Sequence, residues 1–345
     1  MKITVKQAGA ADRHLQAHEG QTILSFLANN GLHLDAPCAG RGSCGKCRVK
    51  AAGALSEPSE AEKTTLAETT GLRLACQARF SGEAELELPP AVRFSAVVGL
   101  GESEPYDVDS PLRQVSLEIA DRQDNTDLMT RHHIGRADVA ALNQLAAVDA
   151  ARLKASAVMW EDELLTAHPA ADDPLAAGPL AAAVDLGTTG LAVAVIDARR
   201  GEVLAQGTAL NPQTGCGGDV ISRITHASDG PAQQAELQDL ALEGIGKLIF
   251  EVAGRERLPR IMAVAVSGNT TMNFLLAGIN PKGLAQAPYR PAFIKSLDLS
   301  HLAPRLDLSP RAKVFTSPNI SAYVGGDITS SRTAAIPADP SISQW

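Results

Sequence analysis

Aromatic residues are scarce in this 345-residue chain, 3% in all, with two tryptophans and three tyrosines. So few rings argue against a stacking platform for single-stranded nucleic acid. Basic runs are missing and the formal net charge is −8, which argues against nucleic acid and anionic membranes as partners. No apolar run approaches the length of a membrane span, and the opening MKITVKQAGAADRHL lacks the apolar stretch of a signal peptide. A cytoplasmic protein is expected. What the chain has is length, more than one compact core accommodates, so two or three domains are expected. Its 45% hydrophobic and 20% charged residues are those of an ordinary globular chain. It also has five cysteines, which in a reducing compartment point to metal or catalysis rather than disulfides.

Composition divides the chain at residues 1–94, 95–178 and 179–345. In the first part, KITVKQ (2–7) alternates like a strand, and QTILSFLANNGL (21–32) predicts a helix with Ile23, Leu24, Phe26 and Leu27 inward and Gly31 as its stop. Strands are expected at 47–53, 73–79 and 84–89, giving a small mixed sheet with one helix. The second part opens on a linker-like GLGESEPYDVDSP (99–111), followed by a strand at 114–120. A helix is expected over 138–153, with Val139, Leu142, Leu145 and Ala146 on its inner face. The third part reads as three strands over 180–210, a long helix over 231–258, a buried strand IMAVAVSG (261–268) and a further turn and helix.

Two constellations carry chemistry. In PCAGRGSCGKC (37–47), Cys38, Cys44 and Cys47 are spaced C-x5-C-x2-C, and Cys76 follows after 28 intervening residues in LACQAR. Plant-type ferredoxins use C-x4-C-x2-C with a remote fourth cysteine. Gly40, Gly42 and Gly45 let the backbone wrap closely and aim N–H groups at cluster sulfurs. The alternatives are unrelated thiols and a zinc knuckle, although zinc sites usually present two C-x2-C-like pairs. The stretches DAPCAGRGSCGKCRVK and GLRLACQARF resemble the β-grasp 2Fe–2S ferredoxins over residues 1–90, in the spacing of the adrenodoxin-like members. That resemblance implies Cys38, Cys44, Cys47 and Cys76 as the four ligands.

The second constellation is AVDLGTTGLAVAVID (183–197). Its glycines permit a tight turn whose N–H groups can cradle phosphate, Thr188 and Thr189 offer hydroxyls, and Asp185 can hold Mg²⁺ through water. No GKS or GKT occurs, so this is not the strand-to-helix P-loop. A plain hairpin turn is the competing reading. Cys216, in TGCGGD, reads as a small residue in a glycine loop.

With the strands that follow it, the DLGTTG loop resembles the first phosphate loop of the ASKHA superfamily of actin-like ATPases. LNPQTGCGGDVISRI (210–224), VSGNTTMNFLLAGINP (266–281) and SPNISAYVGGDITS (317–330) narrow this. Together with the ferredoxin-like start, they resemble the reductive activators of corrinoid proteins over nearly the whole chain. The resemblance implies an α/β multidomain protein: a β-grasp 2Fe–2S domain, a small α/β middle domain, and the first lobe of an ASKHA, ribonuclease H-like domain. It implies Mg²⁺ and ATP as cofactors beside the 2Fe–2S cluster, a corrinoid protein of a methyltransferase system as partner, and an electron donor to the cluster. The implied activity is ATP-dependent transfer of one electron from the cluster to Co(II) corrinoid, giving Co(I). The alternative is an electron carrier with a vestigial or regulatory nucleotide lobe.

By the same resemblance, Asp185, Asp219 and Asp327 are the implied catalytic residues. Gly187, Thr188, Thr189, Gly190, Asn269, Thr270, Thr271, Gly325 and Gly326 are implied around the phosphates. Arg223 is implied near the nucleotide or a partner face, although Asp219–Arg223 also fits a surface i,i+4 pair and Asn269–Thr271 a helix N-cap. The second ASKHA lobe, with its own Asp-x-Gly loop, does not appear before the chain stops in AAIPADPSISQW (334–345). The expectation is a truncated chain that keeps its cluster and hydrolyses ATP poorly or not at all by itself.

Overall fold

The computed structural model describes residues 1–7, 11–30, 32, 34, 36, 40–66, 71–89, 110–118, 126–151, 153–322 and 324–328. Cys38, Gly31, most of the 99–111 linker and the 334–345 tail lie outside the described residues. Three sheets organise what is described.

The first sheet contains β1 (Lys2–Gln7), β2 (Arg13–Gln16), β3 (Arg48–Leu55), β4 (Leu72–Leu74) and β5 (Phe80–Leu88), in the order β2-β1-β5-β3-β4. β1 and β5 run parallel and the other pairs antiparallel, with helix α1 (Ile23–Asn29) laid on the sheet. This is a β-grasp. The Thr22 side chain caps α1 by accepting from the Ser25 N–H. The helix buries Ile23, Leu24, Phe26 and Leu27, the stripe its spacing predicts. Phe26 meets Phe80 edge to face at 5.1 Å, at the centre of a core with Ile3, Val49 and Leu86. A second helix, α2 (Glu60–Leu66), precedes β4.

The second sheet is built from β6 (Leu112–Leu117), β7 (Arg136–Ala137), β8 (Ala155–Trp160) and β9 (Glu163–Pro169), in the order β6-β8-β9-β7. A short helix, α3 (Leu128–Arg131), and a longer one, α4 (Val139–Ala150), belong to it. Asp138 caps α4, which buries Ala141, Leu145 and Val148. The predicted inner face is corrected in part: Leu145 is buried as expected, but Val139 is 76% exposed in the first turn and Ala146 is exposed, so Ala141 and Val148 complete the stripe that faces β9.

The third sheet has β10 (Leu180–Leu186), β11 (Gly190–Asp197), β12 (Val203–Leu210), β13 (Ile261–Gly268) and β14 (Lys313–Thr316), in the order β12-β11-β10-β13-β14. The first three form an antiparallel meander, while β13 and β14 run parallel to β10. A meander followed by parallel additions on the β10 side is the order of the first lobe of the ribonuclease H-like, ASKHA fold. Helices α5 (Val220–Ser228), α6 (Pro231–Arg257, broken at Gly254) and α7 (Thr270–Leu276) complete this unit. α6 packs across β11 and β12, burying Leu237, Ala241, Ile245, Leu248 and Ile249 against Val184, Val193 and Val264. The second sheet docks beside it through Trp160 stacked on Phe315 at 5.1 Å and Lys313 paired with Glu163 at 2.7 Å.

Candidate cluster site and phosphate loop

The two constellations lie in separate units, and each is held by residues the motifs do not contain. Cys47 stands just before β3 and Cys76 in the turn after β4. Their sulfurs are 3.4 Å apart, and the Ala75 N–H donates to the Cys47 carbonyl at 2.9 Å. Two thiolates on one tetrahedral metal, with bonds of about 2.3 Å, lie about 3.8 Å apart, so this pair fits a single centre. Cys44 is partly exposed on the same loop. Cys38 belongs to the undescribed residues.

Local chemistry explains the loop. Gly42 and Gly45 both have positive φ, 74° and 65°. A Cβ on Gly42 would meet the Ala61 Cβ at 2.9 Å, and one on Gly45 would meet Thr65 Cγ2 at 2.8 Å. The loop is thus pressed onto α2, whose Thr65 hydroxyl donates to the Gly42 carbonyl at 2.7 Å. Gln77 Nε2 donates to the Gly40 carbonyl at 2.5 Å and lies 3.8 Å from the Cys76 sulfur. Glu62 fixes α2 to β4. Only 1% exposed, it accepts from Arg73 Nε at 2.9 Å, from the Leu74 N–H at 2.9 Å and from the Ser59 N–H at 3.0 Å. Burial alone would raise its carboxyl, but Arg73 and these donors outweigh it and hold the group below its ordinary range.

At the phosphate loop, β10 ends at Leu186 and the chain reverses into β11 at Gly190. A Cβ on Gly187 would lie 2.7 Å from the Gly190 carbonyl oxygen, so the reversal requires glycine there. The Gly187 carbonyl accepts from Asn211 Nδ2 at 2.7 Å, and the Thr188 carbonyl accepts from Arg223 Nη2. In a trans peptide the N–H points opposite to the carbonyl, so the N–H groups of Thr188 and Thr189 face away from this scaffold. Thr188 Oγ1 accepts from Asn269 Nδ2 at 3.0 Å.

Asn269 caps α7, its Oδ1 accepting from the Met272 N–H at 3.1 Å. Thr270 and Thr271 are buried, and the Thr270 hydroxyl donates to the Ser321 carbonyl at 2.6 Å. Their side chains build the helix start, and of the three only Asn269 reaches the loop hydroxyl. Gly325 lies over that start. A Cβ on it would collide with the Thr270 nitrogen, and one on Gly326 would stand 2.8 Å from Ser317 Cβ. Asp327 follows these two glycines, and its charge reaches Asp185.

Although Asp185 is exposed, its carboxyl is raised above its ordinary value, first by desolvation from the protein around it and then by the charge of Asp327. Asp185 and Asp327 lie close enough for the charge of one to reach the other, and carboxylate oxygens are the ligands a hard divalent cation takes. A raised carboxyl costs stability wherever the folded protein must ionise it. Well below pH 3.8 the group is neutral both folded and unfolded, and the cost vanishes. Asp185→Asn is therefore expected to raise the melting temperature at neutral pH, with the gain closing as pH falls below 3.8, read from thermal melts across pH. A lower melting temperature at neutral pH would refute the assignment.

Asp219 is the N-cap of α5, in a reciprocal capping box with Ser222, and is exposed. The surface-pair reading of Asp219 with Arg223 does not hold. Arg223 is 0% exposed, and it donates to the Gly217 carbonyl at 2.9 Å and to Gln213 Oε1 at 3.1 Å as well as to Thr188. Gln213 in turn donates to the Leu237 carbonyl at 2.8 Å. The sequence signal for this role is that Arg223 shares the apolar stripe of α5 with Ile224 and Ala227.

Fold and sites together define a 2Fe–2S electron-transfer domain carried on a chain with an actin-like first lobe. Residues 6–81 match the 2Fe-2S iron-sulfur cluster binding domain, and residues 180–335 match the RACo middle region. The chain carries these two modules in that order. A corrinoid activation enzyme, RamQ of Eubacterium limosum, is 32% identical over 149 residues, 43% of this chain and 25% of that protein. One component of the Na⁺-translocating NADH-quinone reductase of Pseudoalteromonas atlantica is 35% identical over 94 residues, 26% of this chain and 23% of that protein. A solved reductive activator for a corrinoid, iron-sulfur protein superposes with a TM-score of 0.60 at 24% identity, over 96% of this chain and 57% of that one. That likeness establishes the fold. The chain thus spans well under two thirds of the length of these relatives. Among the described residues no helix is long and apolar enough to cross a membrane.

Proposed function

We propose that the protein is an ATP-dependent reductive activator that passes one electron from a 2Fe–2S cluster to a Co(II) corrinoid on a partner protein, giving Co(I). Cys38, Cys44, Cys47 and Cys76 would hold the cluster, with Cys47 and Cys76 close enough to ligate the same iron. The bound cluster supplies single electrons, delivered to it by a separate donor. Asp185 and Asp327, with Asp219 at the start of α5, hold the Mg²⁺ of ATP. The phosphates lie against Gly187, Thr188, Thr189 and Gly190, with Asn269, Thr270, Thr271, Gly325 and Gly326 closing the far side. The working units are residues 1–94, 95–178 and 179–345, in that order.

The physical need for ATP is energetic. Co(I) lies at a lower potential than the cluster readily reaches, so nucleotide must favour a state in which transfer proceeds, through differential binding to two states. One observation carries this reading. The cluster domain rests its helix α1 on the 3-10 turn Pro212–Gly215, where a Cβ on Gly215 would sit 3.9 Å from Ala28 Cβ. Gln213, in that turn, shares Arg223 with the Thr188 carbonyl. The surface that carries the cluster domain and the loop that cradles phosphate thus belong to one buried network.

The test is reduction of a Co(II) corrinoid protein by the reduced protein, followed by Co(I) absorbance with and without Mg·ATP. Reduction that depends on ATP supports the proposal. Equal rates without nucleotide would overturn it in favour of a plain electron carrier with a regulatory lobe.

A further inference from the structure

A third cluster of metal-binding side chains lies where the loop before α5, α5 itself and α6 meet, and neither the thiol loop nor the phosphate loop uses it. Cys216 closes the Pro212–Gly215 turn, His226 lies in the last turn of α5, and Glu236 lies near the start of α6. Their sulfur, ring-nitrogen and carboxylate-oxygen atoms all lie within 4.8 Å of one another. His226 Nε2 is 2.9 Å from Glu236 Oε2. Cys216 is 9% exposed, whereas the His226 and Glu236 side chains are 21% and 53% exposed. The sulfur is therefore at the back of the cluster and the carboxylate at its mouth, open to an entering ion.

We propose that Cys216, His226 and Glu236 form a binding site for a borderline-soft divalent cation of the zinc class, separate from the iron–sulfur centre. The donor set selects the ion. One sulfur, one imidazole nitrogen and one carboxylate oxygen suit tetrahedral Zn²⁺, and thiolate disfavours Mg²⁺ and Ca²⁺, which take oxygen ligands. Three protein ligands leave a fourth position for water. Without metal the thiol is held protonated, pushed up to about 12 by burial and then by the Glu236 carboxylate, while Arg223 works in the opposite direction. Binding replaces the S–H bond with a metal–sulfur bond and releases the proton to solvent.

Position gives the site its purpose. The three ligands come from three elements, so one ion ties the turn beneath α1 to α5, which carries Arg223, and to α6, the main helix of the third sheet. An occupied site fixes the 216–219 loop whose Gly217 carbonyl Arg223 holds. Metal occupancy at this point would stiffen the link between cluster domain and phosphate loop.

The experiment uses protein with its iron–sulfur cluster loaded, so that the cluster cysteines are occupied. It is equilibrated with Zn²⁺ and dialysed against a weak chelator. Iron and zinc are then counted, and the zinc shell is read by X-ray absorption. The expected result is one zinc per chain in addition to the iron, with a shell of one sulfur and otherwise nitrogen and oxygen. Cys216→Ala and His226→Gln should each weaken zinc binding by more than about tenfold, a loss that even outer-shell changes can produce. The iron content and visible spectrum should stay unchanged in both. Absence of retained zinc, an all-sulfur shell, or zinc binding indifferent to Cys216→Ala would each overturn the proposal.

Discussion

Cys76→Ser is expected to strip the protein of its iron and visible absorption while leaving its far-ultraviolet circular dichroism nearly unchanged. The substitution is almost isosteric at a position 7% exposed, and the neighbouring core of Leu74, Ala75, Ala78 and Phe80 does not depend on the sulfur. Oxygen is the poorer ligand for iron in a sulfur site, so what is lost is the donor rather than the fold. Cys47 would remain beside an unsuitable partner at the present separation of 3.4 Å. Cys216→Ser is the control, because Cys216 lies in the third unit and should leave the iron and its spectrum intact. Retention of the full spectrum by Cys76→Ser would remove Cys76 from the ligand set, and stoichiometric zinc without iron in the wild-type protein would sink the iron–sulfur reading itself.

The features legible in the sequence were those fixed over a few residues. The α1 stripe is set by 3.6-residue spacing, β10 to β13 by their apolar runs, and the two loops by residue types that few other structures require. What escaped was set by contacts distant in sequence. RLACQAR alternates like a strand, yet β4 stops at Leu74 and the chain turns, with the Gln77 and Ala78 N–H groups both donating to the Leu74 carbonyl. That turn brings Cys76 back to Cys47. EAEKTTL, which becomes α2, has little apolar periodicity and is held by Glu62 reaching across to Arg73 and Leu74. The β8–β9 hairpin reverses at Glu161 with φ 53°, without the glycine or asparagine that would mark such a turn. β14 pairs in parallel with β13 after a long excursion, and no local pattern announces a partner so far away. Arg223 fits a place near the nucleotide and a surface pair equally well in the sequence, because a lone charge on a helix is usually exposed.

Arg223→Met is expected to destabilise the third unit by about 3 kcal/mol or more, close to what breaking a buried charged network costs. Two effects oppose each other. Burying the guanidinium is unfavourable, and that burial is the main reason its titration is lowered to about 10. A buried ionic group can indeed be replaced by methionine without loss when all its partners are replaced too. Here two of the partners are backbone carbonyls, of Thr188 and Gly217, and no side-chain change removes them. Each buried acceptor left without a donor costs roughly 1–3 kcal/mol, and Gln213 Oε1 would lose one of its donors as well. The orphaned acceptors therefore outweigh the relief of desolvation. Arg223→Lys tests the cause, since a single ammonium cannot span the three oxygen acceptors that the fork reaches. Urea unfolding followed by circular dichroism, with the cluster chromophore reporting the first unit separately, should show both variants losing stability in the third unit, methionine more than lysine. Nucleotide affinity should fall in both, because the Thr188 carbonyl would no longer be held inward. A methionine variant with an unchanged midpoint would mean that water or backbone movement satisfies those carbonyls, and the buried link from the α1-bearing turn to the phosphate loop would then lose its central member.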